Sequence, residues 1–244
     1  MHSPEPEAVN ARAWTTYGNH HIQRGTDVPE VERISWGFWP TGPGAETLGD
    51  LSGLRVLDLG SGLGKHAAHL VREHGATVDA VEASASQHAR ALARYGDLSG
   101  LTLIHAEAVE YLQRAEPYDV IYSIHGFGYI NPHRLLPAAC QGIKPGGLLA
   151  FSVLHTNSHG LGPSPSVAPR TEILPLADGE DQTVTMWVLP PELWEALLVQ
   201  HGLRMETVTL INPPTPDNQV SCRLYAARRP ERRANLRPAD HGPE

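Results

Sequence analysis

The sequence predicts an α/β fold, a doubly wound, mostly parallel sheet of seven strands with helices on both faces. Short apolar runs of strand length alternate with helical patterns of about 10–15 residues, which requires crossover connections and parallel pairing. The stretch Val56-Leu57-Asp58-Leu59-Gly60-Ser61-Gly62-Leu63-Gly64 passes from an apolar strand through alternate glycines into a helical segment. Two further strand-like runs, Met205–Ile211 and Val220–Ala227, follow a last helix and complete the seven.

Taken in chain order, residues 8–20 read as a helix ahead of the core, carrying Trp14 and Tyr17. A Pro/Gly-rich linker then presents Trp36-Gly37-Phe38-Trp39-Pro40. Aromatics placed this way either line an apolar pocket or plug the base of the sheet. The first strand ends at Asp58-Leu59, and Thr77-Val78-Asp79-Ala80-Val81-Glu82 reads as a second strand ending in a carboxylate. Ala83-Ser84 opens the next helix. A third strand, Leu101–His105, leads into Ala106-Glu107-Ala108, and a fourth runs from Tyr118 to Ile124. Helix 134–141 and Lys144-Pro145-Gly146-Gly147, read as a turn, precede the fifth strand, Leu148–Val153.

The stretch from His155 to Thr185 holds Pro163, Pro165, Pro169 and Pro175 and exceeds ordinary connection lengths. Placed after a strand's C-terminal end, it is expected to be a lid or a disordered segment. Pro190-Pro191 starts a helix whose Leu193, Leu197 and Leu198 have core spacing. Three parts follow: an N-terminal helix and aromatic cap segment (1–45), one α/β domain (46–230) with a lid-like insertion at 155–187, and a disordered tail (231–244).

The glycine loop excludes two phosphate-binding readings. The dinucleotide fingerprint G-x-G-x-x-G needs glycine where Lys65 stands. The loop G-x-x-x-x-G-K-[ST] needs glycine at 59 and Ser or Thr at 66, where Leu59 and His66 stand. What remains, Asp58-Leu59-Gly60-Ser61-Gly62-Leu63-Gly64, resembles the cofactor loop of the class I, Rossmann-like methyltransferases of small molecules. The acid-ended strands, the Tyr118-Asp119-Val120 strand and the Lys144–Gly147 segment extend that resemblance over roughly residues 50–155.

The resemblance implies S-adenosyl-L-methionine as cofactor and a small-molecule acceptor methylated on oxygen, nitrogen or carbon, in bacterial specialised metabolism. It places the cofactor on Asp58, Gly60, Ser61, Gly62 and Gly64, with Glu82 and Ala83 at the ribose. Ala106, Glu107 and Ala108 fall at the adenine, Tyr17 over the cofactor and Ser123 beside it. An acidic residue about 20 positions past the loop suits ribose hydroxyls, and Glu82 lies 18 after Gly64. The same pocket also suits a cofactor-binding scaffold or a cyclase that transfers no methyl group. A dehydrogenase is a third, more distant reading.

A methyl bound to a sulfonium is already activated, so the acceptor's alignment carries most of the chemistry. A hydroxyl acceptor would add a general base. His125, just past the fourth strand at the switch between strands one and four, leads the candidates. His155 at the end of the fifth strand is second, and His159 and Tyr129 stand behind it. Trp36, Trp39, Tyr129 and His159 are the expected substrate contacts.

Net charge is −8 and the basic residues are scattered, which argues against nucleic-acid partners. No run of about 18 apolar residues suggests a membrane span. The first residues lack a basic-then-apolar leader layout, and the two cysteines, Cys140 and Cys222, need no pairing, so a cytosolic setting is expected. His20-His21 lack metal-ligand spacing, and no metal is expected. The oligomeric state is not readable from the sequence.

Overall fold

A computed structural model describes residues 5–177 and 180–231. The strands β1 (Arg55–Leu59), β2 (Thr77–Glu82), β3 (Leu101–His105), β4 (Tyr118–Ile124) and β5 (Ile143–Thr156) pair in parallel. Between them run the helices α2 (Lys65–His74), α3 (Ala85–Tyr95), α4 (Ala108–Leu112) and α5 (Pro132–Gly142). After helix α6 (Pro191–Gln200), β8 (Arg204–Ile211) and β9 (Ser221–Arg228) add antiparallel strands, giving the order β3-β2-β1-β4-β5-β9-β8. The chain reverses its direction of winding between β1 and β4, and doubly wound sheets bind ligands at such a switch.

Both faces of the sheet are covered, which explains why β1 and β4 read as continuous rather than alternating apolar runs. On one face Leu57, Ile121, Leu149 and Phe151 pack with Trp194 and Leu198 of α6. On the other, Val56, Val78, Val120 and Tyr122 pack with Leu70 of α2 and with Ile34 and Trp36 of the linker. The tail beyond Glu231 lies outside the described residues.

Two sequence expectations are corrected. Lys144–Gly147 is part of β5, which already begins at Ile143; the register against β4 shifts between Tyr118 and Val120. Gly146 takes the left-handed φ of 80° that this irregularity needs, so the segment is a bulge within the strand. Nor is 155–187 structureless over its described residues. It folds back as a two-stranded antiparallel hairpin, β6 (Arg170–Leu174) with β7 (Gln182–Met186). The prolines stand outside these strands, where no ladder hydrogen bond is required.

The hairpin supports helix α1 (Pro6–Gln23), which is longer at both ends than the sequence pattern suggested. Ala13 packs with Leu174, Val184 and Met186. Asn10 fixes the docking: its Nδ2 donates to Tyr129 O at 2.9 Å and Thr185 O at 2.8 Å, and its Oδ1 accepts from Thr185 N–H at 2.8 Å. The Ser86 hydroxyl donates to Thr15 O at 2.8 Å, while Gly18 leaves no space for a Cβ against Ser86, so α1 also lies close on α3.

Replacing Asn10 by Ala strands a buried N–H and two carbonyls. The expected loss is about 1–3 kcal/mol, read as a lower urea midpoint at unchanged slope.

Candidate functional site

The site begins with backbone geometry. Gly60, Gly62 and Gly64 all have positive φ (74°, 55° and 71°), a conformation costly for any residue with a Cβ. Gly60 and Ser61 donate their N–H groups to Val81 O at 2.9 and 3.0 Å, which ties the turn to the end of β2. A Cβ on Gly60 would lie 3.1 Å from Gly126 Cα, so the turn after β1 and the turn after β4 meet backbone to backbone. A Cβ on Gly62 would meet nothing within 4 Å, and Gly62 borders a cavity of about 950 Å³.

Several carboxylates border that cavity. Glu82 accepts from Gly62 N–H at 2.8 Å and from Ser84 N–H at 2.7 Å. Burial raises its pKa, against the pull of those two backbone donors. Asp58 accepts from the Tyr122 hydroxyl at 2.7 Å; burial pushes its carboxyl up to about 7, opposed by that hydrogen bond and reinforced by the Glu82 charge. Glu107 caps α4, its Oε2 accepting from Glu110 N–H at 2.9 Å. Its Oε1 is buried with no hydrogen-bond partner, an acceptor awaiting a donor.

Of the residues expected at a cofactor, Asp58, Gly60, Ser61, Gly62, Glu82 and Ala83 border this one cavity. Ala106, Glu107, Ala108 and Tyr17 do so as well. Gly64 and Ser123 are not brought to it. A Cβ on Gly64 would face Leu103, Ala91 and Tyr95, so this glycine serves the packing of the turn. The Ser123 side chain is fully buried and donates to Leu59 O at 2.7 Å, which consumes its hydroxyl in joining β4 to β1.

The aromatic loop divides in a way the sequence did not reveal. Trp36 is fully buried, donates Nε1–H to Gly44 O at 2.9 Å and packs edge-on to Tyr122, so it plugs the core. Trp39 packs on Phe38 and does not border the cavity. Phe38 is the residue that does. The residue is 58% exposed, and its ring stacks on His125, with centroids 4.3 Å apart and planes 3° from parallel. Its neighbours in sequence gave no signal to separate it from the two tryptophans.

His125 and Tyr129 border the cavity; His155 and His159 do not. His155 lies two residues past Val153, whose side chain joins the α6 face, and its charged neighbours are Arg223 and Glu192. His159 is exposed, with its backbone N–H on Asn157 Oδ1 at 3.0 Å. His125 has φ 62°, the one non-glycine residue with positive φ among those described. Burial lowers its imidazole to about 4, partly offset by the Gly37 backbone. His66, which the sequence offered only as a mismatch to a phosphate loop, also borders the cavity, with its pKa pushed down to about 3 by burial and by Lys65. Among the described residues no cluster of three or more His, Cys, Asp or Glu is placed to hold a metal ion. No helix there is long and apolar enough to cross a membrane.

Because the folded state holds His125 below its unfolded value, the unfolded chain binds the extra proton first. Stability is therefore full above about pH 6.5 and falls as pH drops toward 4. Asn tolerates a positive φ, so His125→Asn is expected to narrow the gap between urea midpoints measured at neutral and acid pH. An undiminished gap would show that this imidazole is not held neutral.

Residues 41–208 match a family model described as a methyltransferase domain. A ubiquinone biosynthesis O-methyltransferase of Cronobacter sakazakii is 31% identical over 157 residues, 62% of this chain and 59% of that protein. An O-methyltransferase, resE, of Aspergillus sclerotiorum is 26% identical over 142 residues, 55% of this chain and 53% of that protein. The matches thus span less than two thirds of either relative. Among solved structures, an S-adenosylmethionine-dependent methyltransferase from Mesorhizobium loti aligns with TM-score 0.55 at 23% identity, over 75% of this chain and 94% of that one. The 4+2 cyclase SpnF aligns with TM-score 0.66 at 14% identity, over 95% of this chain and 98% of that one.

Proposed function

The chain belongs to the methyltransferase-domain family, and from that premise we propose that it transfers a methyl group from S-adenosyl-L-methionine to an oxygen of a small-molecule acceptor. One observation carries the reading: a glycine turn, two strand-end carboxylates and a buried acceptor without a partner all face a single cavity at the sheet's switch point. The residues suit that cofactor. Glu82 still has lone pairs free for ribose hydroxyls after holding Gly62 and Ser84. Glu107 Oε1 offers an adenine amino group the acceptor it needs. Gly62 lets the backbone come close, and Trp14 and Tyr17 of α1 roof the same space.

When bound, the cofactor supplies a methyl group already activated by its positive sulfur. The chain then has to exclude water and hold the acceptor in line, which is worth roughly 7–11 kcal/mol of barrier. Pinning α1 through Asn10 serves the first task. His125, neutral and on the acceptor side, can hold or take the proton of a hydroxyl.

The metabolic setting divides the reading. Only Lys65 and Lys144 carry the lysine charge of this arginine-rich chain, a composition we associate with a high-GC bacterial gene, and we place the chain in specialised metabolism. The relative named for ubiquinone biosynthesis favours primary metabolism. A second activity, cyclisation in the same pocket without methyl transfer, is favoured by the alignment with SpnF along nearly the whole chain. Formation of S-adenosylhomocysteine, followed by mass spectrometry across candidate acceptors, separates transfer from cyclisation.

Two binding measurements test the cofactor assignment. Glu107→Gln preserves an oxygen for the α4 cap but removes the charge at the adenine; S-adenosylhomocysteine should bind roughly tenfold more weakly, the scale of one charge-assisted hydrogen bond. A dissociation constant unchanged within about twofold removes Glu107 from the site. Asp58, near half-protonated at neutral pH, should release a proton when a cationic ligand enters beside it. Calorimetry of S-adenosylmethionine at pH 7, in buffers of different ionisation enthalpy, reads that proton directly. The release should disappear in Asp58→Asn.

A further inference from the structure

Resting on the methyl-transfer reading, the acceptor's half of the cavity can be described more closely. His66 stands in the first turn of α2, immediately past the glycine loop, and His125 immediately past β4. The two loops meet at Gly60 and Gly126, so both imidazoles line the same space beside the switch point. Nδ1 of His66 is buried without a hydrogen-bond partner. The ring nitrogens of His125 also lack a well-formed bond, although one of them faces the Gly37 backbone. Buried polar atoms in native proteins are nearly always paired, so unpartnered imidazole nitrogens on one cavity mark a place that a ligand completes.

The character of that ligand follows from its surroundings. Each imidazole is held neutral by burial, with Lys65 adding positive charge beside His66. A neutral imidazole offers one donor and one acceptor. A hydroxyl, which donates and accepts, can pair with both rings at once, and the Lys65 charge beside His66 disfavours an ammonium. Phe38, parallel to His125, forms a flat wall, and Tyr129 and Ile130 continue the lining. We propose that His66 is an acceptor-binding residue, pairing with His125 to hold a neutral hydroxyl borne on a planar ring beside Phe38.

Phenol is the minimal probe and toluene its control. The full-length protein is loaded with S-adenosylhomocysteine, confirmed by calorimetry, and its histidine ring nitrogens are followed by nitrogen-15 NMR during titration. Phenol should move the resonances of both His66 and His125, and should bind at least about fivefold more tightly than toluene, the scale of one net hydrogen bond. His66→Leu should abolish that preference, and His66→Asn, which keeps a donor and an acceptor, should restore part of it. Equal affinity for phenol and toluene overturns the proposal, as does movement of His125 with His66 unmoved. Failure to load S-adenosylhomocysteine instead refutes the methyl-transfer reading on which it rests. Loading without a phenol response refutes the acceptor grip alone.

Discussion

Glu82 ends β2 with its carboxylate buried between two backbone donors, Gly62 N–H at 2.8 Å and Ser84 N–H at 2.7 Å. A single side chain therefore joins the turn after β1 to the start of α3. Without those bonds the Gly62 N–H would lose its partner inside a positive-φ turn, and the burial that now raises the Glu82 pKa would be uncompensated. This tie fixes the loop that borders the cavity, and at Gly60 that loop meets the turn after β4 at Gly126.

That approach has a consequence on the other side of the switch point. Gly126 fits against Leu59 O and Gly60 only because it lacks a side chain, and the residue before it, His125, is turned into a left-handed conformation. Such backbone is unfavourable by about 1–3 kcal/mol for a residue with a Cβ. It is retained where His125 N–H reaches Ser152 O at 3.0 Å and where the ring stacks on Phe38. Close packing of two turns thus brings an imidazole to the cavity.

How much of this could be read from the residues alone depends on whether the signal was local. β2, β3 and β4 were readable to the residue, because β-branched runs bounded by turn residues and acids carry their own limits. The glycine turn and its two acids were readable for the same reason, since their spacing along the chain is their geometry. Ser123 failed because its hydroxyl is taken by Leu59 O, a partner 64 positions earlier. Trp36 failed because Gly44 O and Tyr122 drew it inward, leaving the less conspicuous Phe38 at the cavity. The proline-rich stretch after β5 hid a hairpin whose stability comes from packing on α1, and no local pattern records that.

One physical cause acts oppositely on the carboxylates and the imidazoles that border the cavity. Burial raises carboxyl pKa values and lowers imidazole ones. Burial and the Glu82 charge both hold Asp58 back from ionising, and a cationic ligand beside it would relieve that cost. His66 and His125 stay neutral, leaving hydrogen-bonding capacity without charge. On the methyl-transfer reading, the acids therefore suit a positively charged donor and the imidazoles a neutral acceptor. The reverse placement would set a cation against His66 and its neighbour Lys65 and leave the carboxylates uncompensated.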